Sequence, residues 1–256
     1  MKRLGQHFLI DPNIARNIVS LAALAPTDTV LEIGPGRGIL TAELCRVAAH
    51  VTAIEIDPRL SNYLAERYGT SPNLHLVCGD AMKYPLETLP VGTVVVANLP
   101  YYLSTPLLFR LLEQRGRFSR MVLMLQKEVV DRVVAEPGTP HYGILSVMIQ
   151  YAATATKSFT VPTHCFWPRP EVESAVLRLQ MKETLPLILE DERRFASLVK
   201  AAFAHRRKTL VNSLKNQGYP QELVVKALQT LALPMAIRAE ALSIEQFIAL
   251  THLLSP

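Results

Sequence analysis

Residues with ligand chemistry follow three successive predicted strands. The first strand leads into a turn with glycines at alternate positions, Gly34, Gly36 and Gly38, which lets a ligand approach the backbone closely. The second strand ends around Glu55 and the third at Asp80, two carboxylates that accept hydrogen bonds from hydroxyl and amine groups. Ligands of open α/β sheets gather at the carboxyl ends of strands, so the pattern predicts a site for a nucleotide-like ligand.

Each of these residues also has a purely structural interpretation. The G-x-G-x-G spacing disfavours a dinucleotide site and is also compatible with a turn that binds nothing. Glu55 follows Gly34 at the distance from which a carboxylate can bind both hydroxyls of a ribose. Asp80 is placed to accept from an adenine amine or to cap the local backbone. Asp57 is predicted to be the N-cap of the next helix, because Pro58 suits its first position.

The fourth strand ends in Asn98-Leu99-Pro100-Tyr101. The side-chain carbonyl of Asn98 and the backbone carbonyl of Leu99 can each accept one hydrogen of an exocyclic base amine. Such an amine is a poor nucleophile, and two acceptors favour a pyramidal nitrogen with an available lone pair. Tyr101 can stack on the base. The alternative is an Asn-capped proline turn with aromatic packing.

The elements that position these residues alternate between short β-branched runs and amphipathic stretches. This alternation predicts a Rossmann-like α/β domain with a mostly parallel sheet. The predicted strands are 29–34, 50–57, 74–80, 93–99 and 120–126, and the helices are 39–47, 59–67, 106–114 and 127–135. Asp11 and Pro12 predict an earlier helix over 12–22, and two later strands, 156–161 and 174–181, are expected to be antiparallel at a sheet edge.

The last part of the chain is predicted to be a small all-helical domain. Helical periodicity recurs over 192–204, 206–216, 221–231 and 244–254, which places a domain boundary between 183 and 184. Residues 193–221 include no acidic residue but many basic ones, among them Arg206, Arg207 and Lys208. With a net charge of +5 and a pI near 9.2, this stretch suits a polyanionic partner or a solvated helix face.

Composition argues against several classes of protein. No run approaches the roughly 18 apolar residues that a membrane span requires, and the start of the chain lacks an apolar signal core. Three widely spaced cysteines, Cys45, Cys78 and Cys165, fit neither a disulfide framework nor a zinc site. We therefore expect a cytoplasmic protein without a metal.

Several motifs together resemble one family. Asn98-Leu99-Pro100-Tyr101 is similar to the signature of methyltransferases that act on exocyclic amines of nucleobases. Over almost the whole chain the sequence resembles the KsgA family of ribosomal RNA adenine dimethyltransferases, which is related to the Erm methylases. The matching motifs are Leu4-Gly5-Gln6-His7-Phe8-Leu9, Glu32-Ile33-Gly34-Pro35-Gly36, Asn98-Leu99-Pro100-Tyr101, Leu125-Gln126-Lys127-Glu128-Val129-Val130, the segment from Phe166 to Val176, and Arg206-Arg207-Lys208-Thr209-Leu210.

The resemblance implies a class I methyltransferase domain over 1–183, followed by a helical rRNA-binding domain over 184–256. The cofactor would be S-adenosylmethionine. The reaction would add two methyl groups to the N6 amine of each of two adjacent adenosines near the 3′ end of 16S rRNA. The partner would be a small ribosomal subunit precursor, and we expect a monomer.

The resemblance also implies roles for particular residues. The cofactor would contact His7, Leu9, Gly34, Gly36, Glu55, Asp80, Ala81 and Asn98. Catalysis would use Asn98, Leu99, Pro100 and Tyr101, with Phe166 closing over the target base opposite Tyr101 or else packing in the core. RNA would contact Arg206, Arg207 and Lys208. Without the resemblance, His7 is expected to be a surface residue.

Three alternative functions remain. An Erm-type enzyme would act on large-subunit rRNA, but the motifs around Lys127 and Arg207 favour KsgA. A DNA adenine methyltransferase would more often carry D-P-P-Y and a recognition domain larger than roughly 70 residues. An assembly or transcription factor would use the fold mainly for binding, which intact ligand positions disfavour.

Overall fold

The computed structural model describes residues 7–205 and 207–254, and their contacts divide the chain into two compact units. The first unit contains the chain up to Val130 together with Thr154–Met181. The second contains Asp131–Ala153 together with the chain from Lys182 onward. The predicted boundary between 183 and 184 lies close to the division after Met181. Residues 131–153 were predicted to belong to the first domain, but most of their contacts are with the second unit.

A seven-stranded sheet forms the centre of the first unit. The strands in chain order are β1 (Phe8–Leu9), β2 (Thr29–Ile33), β3 (His50–Glu55), β4 (Leu74–Cys78), β5 (Thr93–Asn98), β6 (Phe118–Gln126), β7 (Ala153–Val161), β8 (Phe166–Trp167) and β9 (Ser174–Met181). The large sheet has the order β4-β3-β2-β5-β6-β9-β7. Strands β2 to β6 are parallel, and β9 pairs antiparallel with β6.

This sheet confirms the predicted α/β fold. Val94, Val95 and Val96 of β5 are all fully buried, as expected of strands covered on both faces. From β2 the chain proceeds to β3 and β4 on one side, and it then returns to β5 on the other. The crevice between β2 and β5 is the place where such sheets bind ligands.

Helices of the first unit begin within two residues of their predicted positions. They are α1 (Pro12–Leu21), α2 (Ile39–Cys45), α3 (Pro58–Tyr68), α4 (Ser104–Glu113) and α5 (Lys127–Val133), the last of which crosses into the second unit. Asp11 and Asp57 are N-caps whose carboxylates accept backbone N–H groups of the first turn. None of the described helices is long and apolar enough to span a membrane.

The second unit is helical, as predicted. Its helices are α6 (Ile144–Ala152), α7 (Leu189–Phe203), α8 (Leu210–Asn216), α9 (Gln221–Thr230) and α10 (Ile244–Leu253). The predicted capping box of α10, Ser243 with Gln246, is present. Helix α8 begins four residues later than predicted, because Thr209 is its N-cap. Helix α6 was not predicted, because seven of its nine residues are apolar or aromatic and only Ser146 and Gln150 supply polar positions.

A second, two-stranded sheet was also not predicted. Strand β1 pairs antiparallel with β8, so that Phe8 faces Trp167 and Leu9 faces Phe166. The N–H of Ile10 donates to the carbonyl of Cys165 at 2.9 Å and extends the ladder. This sheet ties the start of the described chain to the proline-rich segment before β9.

Candidate active site

One cavity of the first unit lies at the carboxyl ends of β2, β3, β4 and β5. It encloses about 1000 Å³, part of which is open to solvent. All eight residues predicted to contact a cofactor line it, and so do four of the five predicted for catalysis, Phe166 being the exception. These residues are His7, Leu9, Gly34, Gly36, Glu55, Asp80, Ala81, Asn98, Leu99, Pro100 and Tyr101. Residues that are scattered along the sequence thus surround one space.

The glycine turn forms the floor of this cavity. Gly34 and Gly36 have φ values of +68° and +59°, in the left-handed region that glycine tolerates without strain. The N–H of Gly34 donates to the carbonyl of Ile54 at 3.0 Å and holds the turn against β3. A β-carbon on residue 36 would lie 3.0 Å from Cδ1 of Phe8. Glycine at this position therefore allows the Phe8 ring to close onto the turn.

Glu55 is a buried carboxylate at the end of β3. Its Oε2 accepts from the N–H of Gly36 at 3.0 Å and its Oε1 from the N–H of Asp57 at 2.9 Å. Burial raises the pKa of Glu55, and these two backbone donors oppose the rise. Each carboxylate oxygen has a further lone pair. Glu55 can therefore accept two additional hydrogen bonds from a diol.

A second carboxylate, Glu32, is buried in β2 directly before the glycine turn. No described residue forms a well-aligned hydrogen bond with either of its oxygens. Burial raises the pKa of Glu32 to about 8, Thr41 opposes the rise only in part, and the charge of Glu55 adds to it. Glu32 does not line the cavity. The protonated form of Glu32 is therefore favoured beneath the turn at neutral pH.

Asp80 lies in the loop after β4. One of its carboxylate oxygens caps the local backbone, and the other has no donor among the described residues. Its Oδ1 accepts from the N–H of Met82 at 2.8 Å, which is a local cap. Its other oxygen has no hydrogen-bond partner among the described residues, and Asp80 lines the cavity. The Nε of Arg110 donates to the carbonyl of Ala81 at 3.3 Å and holds this loop in place. Asp80 therefore retains an acceptor for a ligand amine.

Asn98 and Leu99 present two carbonyl groups at the end of β5. The Nδ2 of Asn98 donates to the carbonyl of His7 at 3.4 Å, which leaves its Oδ1 as an acceptor. The side chain of Leu99 is buried in the core, and its N–H donates to the carbonyl of Met124 at 3.0 Å. No described residue donates to the Leu99 carbonyl. The two acceptors that an exocyclic amine requires are thus both uncommitted.

Tyr101 stands beside these acceptors in a single turn of 3₁₀-helix. Its hydroxyl forms a 2.8 Å hydrogen bond with the hydroxyl of Ser174, and its ring centroid lies 5.5 Å from that of His7. Burial raises the pKa of Tyr101, while the bond to Ser174 lowers it. The carbonyl of Pro100 accepts from the hydroxyl of Ser104, the first residue of α4. These contacts orient the Tyr101 ring at the cavity wall.

His7 links this wall to the proline-rich segment. Its Nδ1 lies 2.8 Å from the carbonyl of Pro168, and because a carbonyl only accepts, Nδ1 must carry the proton. The predicted motif residues Leu4, Gly5 and Gln6 lie outside the described residues. His7 is therefore a partly buried cavity residue, in contrast to the surface position expected without the resemblance.

Phe166 does not reach the cavity. Its ring is 3% exposed and belongs to the apolar core, and it is not among the lining residues. Facing residues of an antiparallel pair share one side of the sheet, so Phe166 points into the core together with Leu9. The structure thus shows the core-packing alternative and does not place Phe166 opposite Tyr101. The neighbouring Trp167 is 57% exposed.

The predicted RNA-binding residues belong to the second unit. Arg207 and Lys208 are exposed, and they precede α8 instead of lying on it. Arg206 lies outside the described residues. Earlier in the basic stretch, Arg194 pairs with Glu190 at 2.8 Å and with Asp191 at 3.4 Å. Part of the basic charge is therefore neutralised locally.

Sequence reasoning missed several cavity residues. Phe8, Arg37, Met82 and Tyr102 all line the cavity. A signal existed for all four, since Phe8 lies between His7 and Leu9, Arg37 is inside the glycine motif, Met82 follows Asp80-Ala81, and Tyr102 follows Tyr101. Phe8 belongs to β1, which pairs with β8.

The remaining chemistry of the described residues is simple. Cys45, Cys78 and Cys165 are free thiols. Among the described residues, no group of three or more His, Cys, Asp or Glu side chains could hold a metal ion. The cavity is lined by carboxylate and carbonyl acceptors, apolar side chains and aromatic rings, together with the imidazole of His7 and the guanidinium of Arg37.

Comparison with known proteins identifies the family. The sequence model described as "Ribosomal RNA adenine dimethylase" matches residues 1–255. "Ribosomal RNA small subunit methyltransferase A" of Geobacillus kaustophilus is 42% identical over 266 residues, covering 100% of this chain and 91% of the relative. The protein of the same name from Moorella thermoacetica is 42% identical over 264 residues, covering 99% of this chain and 92% of the relative.

Two solved structures share the fold over almost the whole chain. A dimethyladenosine transferase from Plasmodium falciparum has a TM-score of 0.84 at 30% identity and covers 95% of this chain and 96% of its own. The 23S rRNA methyltransferase ErmE has a TM-score of 0.76 at 29% identity and covers 96% of this chain and 99% of its own. With the family match and these relatives, we conclude that this chain belongs to the ribosomal RNA adenine dimethylase family.

Proposed function

We propose that this protein adds two methyl groups to the N6 amine of each of two adjacent adenosines near the 3′ end of 16S rRNA, using S-adenosylmethionine. The observation that carries the proposal is the pair of uncommitted acceptors, the Oδ1 of Asn98 and the carbonyl of Leu99, at the cavity wall. The substrate would be a small ribosomal subunit precursor, and the protein would act as a cytoplasmic monomer in ribosome biogenesis.

The cavity fits S-adenosylmethionine by the chemistry of its donors and acceptors. Glu55 has lone pairs available for the two ribose hydroxyls, and Asp80 has a free oxygen for the adenine amine. Gly34 and Gly36 line the cavity in a left-handed backbone conformation, so the amino-acid portion would lie against backbone without side chains. When bound, this cofactor supplies an electrophilic methyl group on a sulfonium.

The chain's own contribution is to prepare the target amine. Asn98 and Leu99 would each accept one N6 hydrogen, which favours a pyramidal nitrogen whose lone pair is directed at the methyl group. Positioning for in-line displacement then supplies most of the rate, because holding two reactants in line contributes several orders of magnitude. The methylated amine is acidic, so its proton can pass to water and no general base is required.

Tyr101 would hold the adenine ring. Its hydroxyl is tied to Ser174, so the ring is oriented before the substrate arrives. Stacking of a base on an aromatic side chain contributes about 1–3 kcal/mol, which offsets the few kcal/mol required to remove a base from its stack. A base held in this way also displaces water from the acceptors of Asn98 and Leu99.

The second unit would supply affinity for RNA. Arg207 and Lys208 are exposed cations, and Arg206 beside them has the same charge. Phosphate contacts of this kind orient a protein on RNA without reading sequence. Recognition of the site would then depend on the folded shape of the RNA in the particle.

Incubation with isolated ribosomal subunits tests the proposal. Small and large subunits that lack the modification are each incubated with the protein and labelled S-adenosylmethionine, and their rRNA is analysed by mass spectrometry. We expect four methyl groups on two adjacent adenosines of small-subunit RNA. Label in large-subunit RNA alone would favour the Erm-type alternative, to which the likeness to ErmE points. Label in neither subunit would contradict both.

A further inference from the structure

An exposed aromatic and cationic cluster lies beside the cavity. The guanidinium carbon of Arg37 is 5.1 Å from the ring centroid of Phe8 and 5.1 Å from that of Trp167. A guanidinium at this distance is attracted to both ring faces. Trp167 is nevertheless 57% exposed, although it is a large aromatic side chain. Arg37, Phe8 and Trp167 are called the Arg37 cluster below.

The backbone around Trp167 is held in place on both sides. Phe166 pairs with Leu9 and is buried in the core, while the carbonyl of Pro168 is bonded to His7. Trp167 itself pairs with Phe8. The indole is therefore presented to solvent from a fixed strand, and its ordering costs little entropy when a ligand binds.

Arg37 is cationic and has no carboxylate partner among the described residues, since its contacts are the two aromatic rings. Stacking on aromatic rings leaves the guanidinium N–H groups available for a phosphate. Arg46, the C-cap of α2, pairs with Glu43 instead. The cation of Arg37 therefore lies beside the exposed ring of Trp167. A cation next to an exposed aromatic ring is the combination that binds single-stranded nucleic acid.

The Arg37 cluster lies at the edge of the cavity that would hold the target base. Phe8 and Arg37 line the cavity together with Tyr101, whereas Trp167 does not. Because Trp167 faces Phe8 across the two-stranded sheet, it lies just outside the lining. A nucleotide bound there would neighbour the nucleotide whose base enters the cavity.

We propose that Trp167 stacks on the base of the nucleotide next to the target adenosine, and that Arg37 contacts a phosphate beside it. This inference rests on the proposed function and adds a second base-binding position to it. The Arg37 cluster would then add affinity for the RNA strand on one side of the target adenosine. Stacking tolerates different bases, so the contact would add affinity with little sequence preference.

Fluorescence of the wild-type protein tests the contact, because Trp167 is the only tryptophan in the chain. The probe is a hairpin copy of the small-subunit RNA segment with one adenosine retained as the target, and S-adenosylhomocysteine prevents turnover. We expect the hairpin to quench the fluorescence. Quenching should disappear when the nucleotide on one side of the target is abasic, and it should persist when the target itself is abasic. Quenching that persists with both neighbours abasic, or that disappears only with an abasic target, would overturn the proposal.

Substitution provides an independent measurement. Trp167→Ala should raise the KM for the hairpin about tenfold and leave kcat within about twofold, because the target base is held elsewhere. Trp167→Phe should retain most of the affinity, whereas a purely structural role would also move the Kd for the cofactor. The matched control is Val91→Ala, which truncates another exposed apolar side chain. An unchanged KM in Trp167→Ala contradicts the proposal.

The role of Arg37 is measured by salt dependence. Arg37→Gln should reduce the slope of log Kd against log salt concentration by about one, as expected for one lost phosphate contact. Arg46→Gln, the control at the C-cap of α2, should leave the slope unchanged. If the wild-type protein methylates no rRNA, the proposed function and this inference fail together. Methylation with unquenched fluorescence and an unchanged KM would defeat the inference alone.

Discussion

Two walls of the cavity differ in how the chain constructs them. The strand-end wall consists of the residues that follow β2, β3, β4 and β5, from the glycine turn to Tyr101. The paired-segment wall consists of His7 and β1, which are held by pairing with β8, about 160 positions away in the chain. The first wall carries the carboxylates and the amine acceptors together with Tyr101, whereas the second carries the rings of His7 and Phe8 and the side chain of Leu9.

The strand-end wall therefore holds the groups that would bind cofactor and target amine, whereas the paired-segment wall closes the cavity. The parallel sheet holds Glu55, Asp80 and Asn98 at fixed strand ends, where small displacements would be costly for positioning. The paired-segment wall is held by a two-residue ladder and a few side-chain bonds. We therefore expect substitutions in the strand-end wall to affect the rate and cofactor affinity strongly, and those in the paired-segment wall to have smaller effects.

The largest effect is expected at Asn98. Asn98→Ala should lower the single-turnover rate of methyl transfer by about 100- to 1000-fold, because one of the two amine acceptors is removed. Cofactor affinity measured by calorimetry should remain detectable. Asn13→Ala, an exposed asparagine on α1, is the control. Full activity of Asn98→Ala would contradict the mechanism.

Glu55→Gln is expected to weaken binding of the cofactor. Glu55→Gln removes the charge that would accept the ribose hydroxyls, and hydrogen bonds to charged groups contribute about 1.5–3 kcal/mol. The Kd for S-adenosylmethionine should therefore rise about 10- to 100-fold, with kcat at saturation less affected. Calorimetric titration provides the measurement, and an unchanged Kd would show that the ribose binds elsewhere.

Strand β2, which leads into the strand-end wall, should also make stability depend on pH through the buried Glu32. Its pKa of about 8 in the folded protein exceeds the ordinary 4.5, so its stabilising effect is complete below about pH 4.5 and is lost as pH rises towards 8. Relative to Glu32→Gln, the wild-type free energy of unfolding should fall on the order of 1 kcal/mol per pH unit across this window. Urea titrations at a series of pH values measure the difference.

The control for that experiment is Glu66→Gln, which removes an exposed carboxylate on α3. The free energy of unfolding of Glu66→Gln should change with pH in parallel with that of the wild type. A Glu32→Gln protein whose stability follows the wild type between pH 5 and 8 would show that Glu32 is ionised in the folded protein.

The smallest effect is expected in the paired-segment wall. His7→Phe keeps a ring beside Tyr101 but removes the bond to the Pro168 carbonyl, a neutral hydrogen bond that contributes about 0.5–1.5 kcal/mol. The methylation rate at subsaturating RNA should fall about two- to tenfold. A loss as large as that of Asn98→Ala would remove the distinction between the walls.

Much of the strand-end wall could be predicted from the sequence. A strand, a glycine turn and a capped helix are local patterns, and parallel strands must bring their carboxyl ends to one edge. This is why Gly34, Glu55, Asp80 and Asn98 could be grouped without coordinates. The antiparallel β9 and the caps Asp11 and Asp57 followed from equally local signals.

Other features could not be predicted from local sequence patterns. Helix α6 is short and mostly apolar, and Ser146 and Gln150 are its only polar positions, which is too weak a pattern to predict a helix. Its residues belong to the second unit although they precede β7, because contacts rather than sequence order define a compact unit. The position of Phe166 depended on its pairing with Leu9, which the proline-rich motif does not specify.

By itself, the sequence determined the α/β fold, the helical second unit, the strand-end site residues and the resemblance to rRNA adenine dimethyltransferases. Only the tertiary structure decided that β1 and β8 pair, that Phe166 is buried while Trp167 is exposed, and that Arg37 lies between two rings. The physical reason is the range of the interactions. Propensity, capping and turn geometry act within a few residues, whereas the side on which an aromatic ring lies depends on a partner strand distant in the chain.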